Sequence, residues 1–287
     1  MALRGIFGRP FLDLRPALAA RGVDLELGAI HEEVCLAYTS LPAGYTGGSH
    51  RSMGIMPEAR RAEALTDYVE VITSMTDAEF DVFVSLADNP GAIDRAKRRE
   101  LTWGEERAVP LSRRQMLWLK VRFGVYFPWK GYVELIPNER WTDKAVSRGK
   151  AFTRLAQTFF PKTIAFVKSL PFVSIGRCNV MGLEAHDYGT LHRDGEPEEQ
   201  EEPDTFITFV PGRNKRLYLY DDAAQTELDV DADIYWFNDF DYHGVRADPF
   251  FRYSIRVDGV FEPSFLTELR RRARPRSPRP AKRRTKR

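Results

Sequence analysis

The sequence predicts an α+β protein in which a mainly helical amino-terminal half packs on a barrel or jelly roll of short strands. Two observations carry this. Up to about residue 170 the apolar residues recur at helical spacing, and from Phe172 onward the chain breaks into short runs rich in Val, Ile, Phe and Tyr. The chain of 287 residues, 43% hydrophobic, is long enough for a sizeable core. Three regions are expected: residues 1–170 mainly helical, 171–265 the stranded core, and 266–287 a basic tail.

In the first region, PLSRRQMLWLKVRFGVYF places Met116, Leu117, Leu119, Val121 and Phe123 to Phe127 as the apolar positions of a helix, with Ser112 as its cap and Pro128 as its stop. A second helix is expected in KAVSRGKAFTRLAQTFF, where Ala151, Leu155 and Phe159 recur every four residues. The Gly-rich LPAGYTGGSH at residues 41–50 lacks the GK[ST] ending of a phosphate-binding loop, so no nucleotide role follows. The strand runs are FVSIGRCNVMGL, TFITFVP, KRLYLYDD, ADIYWFND and FFRYSIRVDGVF, joined by acidic or Gly-containing connections. So many short strands in one stretch suit a closed or double-sheet architecture.

Composition narrows the function classes. No apolar run reaches the length of a membrane span, and Arg, Asp and Pro interrupt the amino terminus before a signal core could form. A soluble cytoplasmic protein is expected. Cys35 and Cys178 stand far apart and outside any CxxC pattern, which argues against a disulfide framework or thiolate zinc and for two buried free thiols. The net charge of +2 hides a division. Eleven Lys or Arg fall in the last eighteen residues, from Arg270, leaving −9 on residues 1–269. That tail is too polar to fold alone and is either a solvated extension or a contact for nucleic acid or another polyanion.

The chemistry-bearing pattern begins at YGTLHRDGEP. His192 and Asp194 are two apart, so on an extended strand imidazole and carboxylate share a face. His243, in DFDYHGV 49 residues beyond Asp194, supplies a third donor. Two His and one carboxylate on one face leave three positions open, which suits iron(II) with a bidentate cosubstrate and O2. Nine residues after His243, Arg252 opens a strand on which Arg252, Ser254 and Arg256 share a face. A guanidinium with a nearby hydroxyl matches the distal carboxylate of 2-oxoglutarate. Each piece also has a plainer reading: His243 as a turn histidine, Asp194 as one more acid beside EPEEQEEPD, Arg252 as a strand arginine paired with Asp248. His31, His50 and His186 lack partners at useful spacing and read as surface or packing residues. The aromatic segments VYFPWKGY and WGEERAV read as core or pocket lining.

From about residue 160 to 265 the chain resembles the aspartyl/asparaginyl β-hydroxylase branch of the 2-oxoglutarate dioxygenases, which includes free-proline hydroxylases. The resemblance runs through FPKTIAFVKSLPFVSIGRC, the HRD at His192 to Asp194, ADIYWFNDFDYHGV and RYSIRVDGVFEP. It implies a double-stranded β-helix, cupin-like, that binds iron(II) and 2-oxoglutarate, and hydroxylation of an amino acid, peptide or protein side chain with release of succinate. By that mapping His192, Asp194 and His243 hold the metal and Arg252, with Ser254, binds the cosubstrate. The family commonly opens the strand after the first metal motif with Arg-x-His, whereas this chain has DTFITFVP. The second cosubstrate anchor therefore stays open among Asn179, Arg177, Arg213 and Arg216. Two further readings are a metal- or ligand-binding module without turnover, and a nucleic-acid-binding protein acting through its tail.

Overall fold

The computed structural model describes residues 2–41, 68–101, 103, 109, 111–125, 131–138, 143–195 and 203–274. Among the described residues, ten strands form two antiparallel sheets. The larger contains β1 (Phe11–Asp13), β2 (Gly131–Ile136), β3 (Phe172–Leu183), β5 (Phe206–Phe209), β8 (Ile234–Phe237) and β10 (Arg252–Phe261), in the order β1-β8-β5-β10-β3-β2. The smaller contains β4 (Gly189–His192), β6 (Leu217–Asp221), β7 (Thr226–Asp229) and β9 (Tyr242–Val245), in the order β4-β9-β6-β7. The chain alternates between the sheets as it winds, giving the double-stranded β-helix core of an α+β protein. All five strand runs expected from the sequence are present, and β1 and β2 join the larger sheet from before Phe172.

The pattern of β10 explains the layering. Tyr253, Ile255 and Val257 alternate with Arg252, Ser254, Arg256 and Asp258, yet every one is buried. The apolar face is covered from outside by helices α2 (Gly28–Ser40) and α7 (Pro161–Ser169), through His31 stacked on Tyr253 and Phe166 edge-on to Phe209. The polar face therefore looks into the barrel. Glu33 of α2 ties the two helices together by accepting from Lys162 N at 2.6 Å and Thr163 N at 2.8 Å, placing a carboxylate on the amino end of α7. The main apolar core lies between these helices and the larger sheet. A second, smaller core joins α3 (Tyr68–Ser74), α4 (Asp77–Ser85) and α5 (Arg113–Phe123) around Phe80, Phe83, Trp103 and Leu119.

Several expectations shift. Ser112 does cap α5, in a capping box with Gln115. That helix, however, stops at Gly124, which takes φ +68°, rather than at Pro128. A glycine adopts this left-handed C-cap without a Cβ penalty. The second expected helix starts only at Arg154: α6 (Arg154–Phe159) is capped by Thr153, and the preceding residues form a turn. Cys178 is buried but Cys35 is exposed on α2, so only one thiol lies in the core. Most of the Gly-rich stretch, His50 and residues 275–287 of the basic tail lie outside the described residues. Among those described, no helix is long and apolar enough to cross a membrane.

The amino-terminal segment closes over the turn between β8 and β9. Arg4 N and Gly5 N donate to the two carboxylate oxygens of Asp241 at 2.7 and 2.8 Å, and Asn238 Nδ2 donates to Gly5 O.

Candidate metal centre

His192 ends β4 and pairs directly across the ladder with His243 of β9, so the two imidazoles stand side by side with ring centroids 4.5 Å apart. Each is oriented by a backbone carbonyl two residues back: His192 Nδ1 donates to Thr190 O at 2.7 Å and His243 Nδ1 to Asp241 O at 3.0 Å. A carbonyl only accepts, so Nδ1 is the donor in both rings and Nε2 is the atom each can offer as a ligand. Asp194 is not on the strand as expected. It lies in the bend beyond it, where its backbone N–H donates to Asp239 O at 2.8 Å. Its Oδ1 lies 3.4 Å from His192 Nε2 and 3.7 Å from His243 Nε2. A Cβ on the next residue of β9, Gly244, would come within 2.6 Å of the Tyr218 hydroxyl, so a larger residue there would have to displace that ring.

His192, Asp194 and His243 thus offer one donor atom each within 4.8 Å of one another. It is the one such group among the described residues. Electrostatics agree with ligation. Burial opposes ionisation of Asp194, but its polar neighbours, among them the guanidinium of Arg256, hold the carboxyl well below its ordinary range. Burial, with His192 alongside, pushes His243 down to about 3, leaving a neutral imidazole. Two imidazoles and one carboxylate, with no fourth His, Cys, Asp or Glu donor beside them among the described residues, fit a divalent iron better than a closed structural zinc.

The strand β10 carries two more arginines into the interior. Arg256 Nη1 donates to Asp194 Oδ2 at 3.0 Å, Nη2 to Asp239 Oδ2 at 3.2 Å and Nε to Asp258 Oδ1 at 2.9 Å. Asp258 also accepts from Arg177, and Asp239 from Lys144, which is paired with Asp204 as well. Arg252, fully buried, directs its guanidinium to backbone carbonyls. Nη1 donates to Glu184 O and Phe250 O, Nη2 to Arg246 O and Asp187 O, and Nε lies 3.5 Å from Asp248.

Between the arginines stands Ser254, whose Oγ accepts from Lys215 Nζ at 2.6 Å. Burial, helped by the neighbouring charge of Arg252, pushes the Lys215 ammonium down to about 7. This lysine was missed in the sequence, hidden in the basic run GRNKR ahead of β6. Of the anchors weighed there, Arg177 is engaged with Asp258, Arg213 pairs with Asp233 and Arg216 with Asp248 near the surface. Asn179 faces inward, opposite Arg256 in the β10–β3 ladder. It donates to the Tyr132 hydroxyl at 2.8 Å, while its Oδ1 is buried without a hydrogen-bond partner.

No protein-family model matches the chain, and no curated protein is detectably similar in sequence. Solved structures do resemble it in part. An oxidoreductase of the 2OG-Fe(II) oxygenase family from Burkholderia pseudomallei is 13% identical, with 44% of this chain and 66% of that one covered and a TM-score of 0.30. The chain thus spans just under two thirds of that protein. A prolyl-4-hydroxylase from Pseudomonas putida is 12% identical over 46% of this chain and 73% of that one, TM-score 0.27. A cupin domain from Bordetella pertussis is 5% identical, covering 29% and 78%, TM-score 0.21. The reading of the site therefore rests on its own geometry.

Proposed function

We propose that this protein is an iron(II)- and 2-oxoglutarate-dependent dioxygenase that hydroxylates an unactivated carbon of an amino acid, peptide or protein side chain. The observation that carries the proposal is the convergence of two Nε2 atoms from facing positions of one sheet with one carboxylate oxygen from the bend beyond it. Iron held by His192, Asp194 and His243 would supply dioxygen activation coupled to decarboxylation of the keto acid. The side chains around it do the rest. Lys215 and Ser254 receive the distal carboxylate, the ammonium giving charge and the hydroxyl a second hydrogen bond. Arg252 stands behind them and adds positive field while its own donors brace the surrounding backbone. Asn179 Oδ1 and the Tyr132 hydroxyl present polar atoms on the inner wall between these two ends. The aromatic rings of Phe237, 4.8 Å from the His243 ring, and Phe206 keep the metal end dry. The choice of an amino-acid or peptide substrate is supported by the resemblance of RYSIRVDGVFEP and ADIYWFNDFDYHGV to their counterparts among the β-hydroxylases.

The test is oxygen-dependent conversion of 2-oxoglutarate to succinate by the iron-loaded protein, with His192→Ala and His243→Ala as controls. Loss of iron binding and of succinate formation in both variants is expected. Iron bound by the wild type without any oxygen-dependent decarboxylation would instead make the barrel a metal-binding module without turnover.

A further inference from the structure

We propose that Arg256 is a positioning residue that restricts Asp194 to one coordinating oxygen. This rests on reading His192, Asp194 and His243 as a metal centre. The two oxygens of Asp194 have different neighbours: Oδ1 faces both imidazole Nε2 atoms, at 3.4 and 3.7 Å, whereas Oδ2 accepts from Arg256 Nη1 at 3.0 Å. Carboxylates bind metals through one oxygen or two. An octahedral ion with two imidazoles and a single carboxylate oxygen keeps three positions, enough for a bidentate keto acid and dioxygen. A chelating carboxylate would consume one of them.

The guanidinium is itself immobilised. Its Nε bonds Asp258 and its Nη2 bonds Asp239, so all three edges of the fork are used on carboxylates from three parts of the chain. Its plane lies against Phe206, with the central carbon 3.8 Å from the ring centroid. Asp258 is fixed from the other side by Arg177, and Asp239 by Lys144. Asp239 also holds the Asp194 main chain, through its carbonyl oxygen at 2.8 Å, so side chain and backbone of the ligand are referred to one frame. A lysine in place of Arg256 could reach one of the three carboxylates at a time and could not fix the plane of Asp194.

The experiment is anaerobic titration of the full-length protein with Co(II) alone, following affinity and the visible ligand-field spectrum, for wild type, Arg256→Lys and Asp258→Asn. Arg256→Lys is expected to weaken Co(II) binding about 10- to 100-fold. It should also change band shape and intensity as the second oxygen enters the coordination sphere, with the far-ultraviolet circular dichroism unchanged. Asp258→Asn, which keeps Arg256 but replaces the charged acceptor of its Nε with a neutral amide, should move both readouts in the same direction by less, and it carries the test if the lysine variant does not fold. A folded variant with wild-type affinity and spectrum overturns the assignment of Arg256 while leaving the metal centre intact. Absence of Co(II) binding in the wild type overturns both.

Discussion

Arg252 and Arg256 sit four residues apart on one face of one strand, both buried, yet their surroundings are opposite. Arg256 meets three carboxylates and is held firmly in its charged form, burial notwithstanding, by Asp258, Asp194 and Asp239. Arg252 meets backbone carbonyls from two connections, β3–β4 and β9–β10, and one carboxylate at longer range. The first serves a reactive side chain. The second holds together the loops around Glu184, Asp187 and Arg246, and its charge is left to act on Lys215. Identical residues on a common face therefore divide into one that holds Asp194 beside the two histidines and one that braces the backbone around Ser254 and Lys215.

The largest effect should come from removing the brace. Arg252→Ala deletes a fully buried cation and strands several carbonyls, so a loss of about 3–5 kcal/mol in unfolding free energy is expected by denaturant titration. A loss below about 1 kcal/mol, with only cosubstrate affinity impaired, would return Arg252 to the role of direct ligand. Next is Lys215→Met, which removes a charge-assisted bond worth roughly 1.5–3 kcal/mol and should raise the dissociation constant of 2-oxoglutarate about 10- to 100-fold. Metal affinity should stay unchanged. If it fell in parallel, the two ends would not be separable.

The smallest effect is in pH. The folded Lys215 amine titrates near 7 against an ordinary value of 10.5, so between these limits the folded chain binds fewer protons than the unfolded one. Stability from this group must rise with pH through that window and level off below it. Binding of a dicarboxylate favours the charged amine, so wild-type affinity for 2-oxoglutarate should fall as pH rises past about 7, and Lys215→Met should abolish that slope. Calorimetric titrations at pH values either side of 7 check both statements.

Much of this was legible in the sequence because it is local. Strand runs announce themselves by β-branched and aromatic residues, and His192 with Asp194 are near neighbours along the chain. What was not legible is set by long-range pairing. β1 is three residues long, too short for any periodic signal, and β2 sits in a stretch whose aromatics drew attention instead. Lys215 looks like a loop lysine until Ser254, 39 residues away, is folded against it. Arg256 was noticed only as a face-mate of Arg252, since its acids come from positions 194, 239 and 258. The helix boundary moved for a local reason: Gly124 offers an earlier stop than Pro128.

The clasp of Arg4 and Gly5 on Asp241 joins residues more than 230 positions apart and sits two residues from His243. Residues 4 and 5 find this partner only when nearly the whole barrel has formed. Because closing so long a loop precedes any reward from its contacts, it belongs to the late steps of folding. The amino end of the strand that carries His243 is thus tied down by one of the last contacts to form.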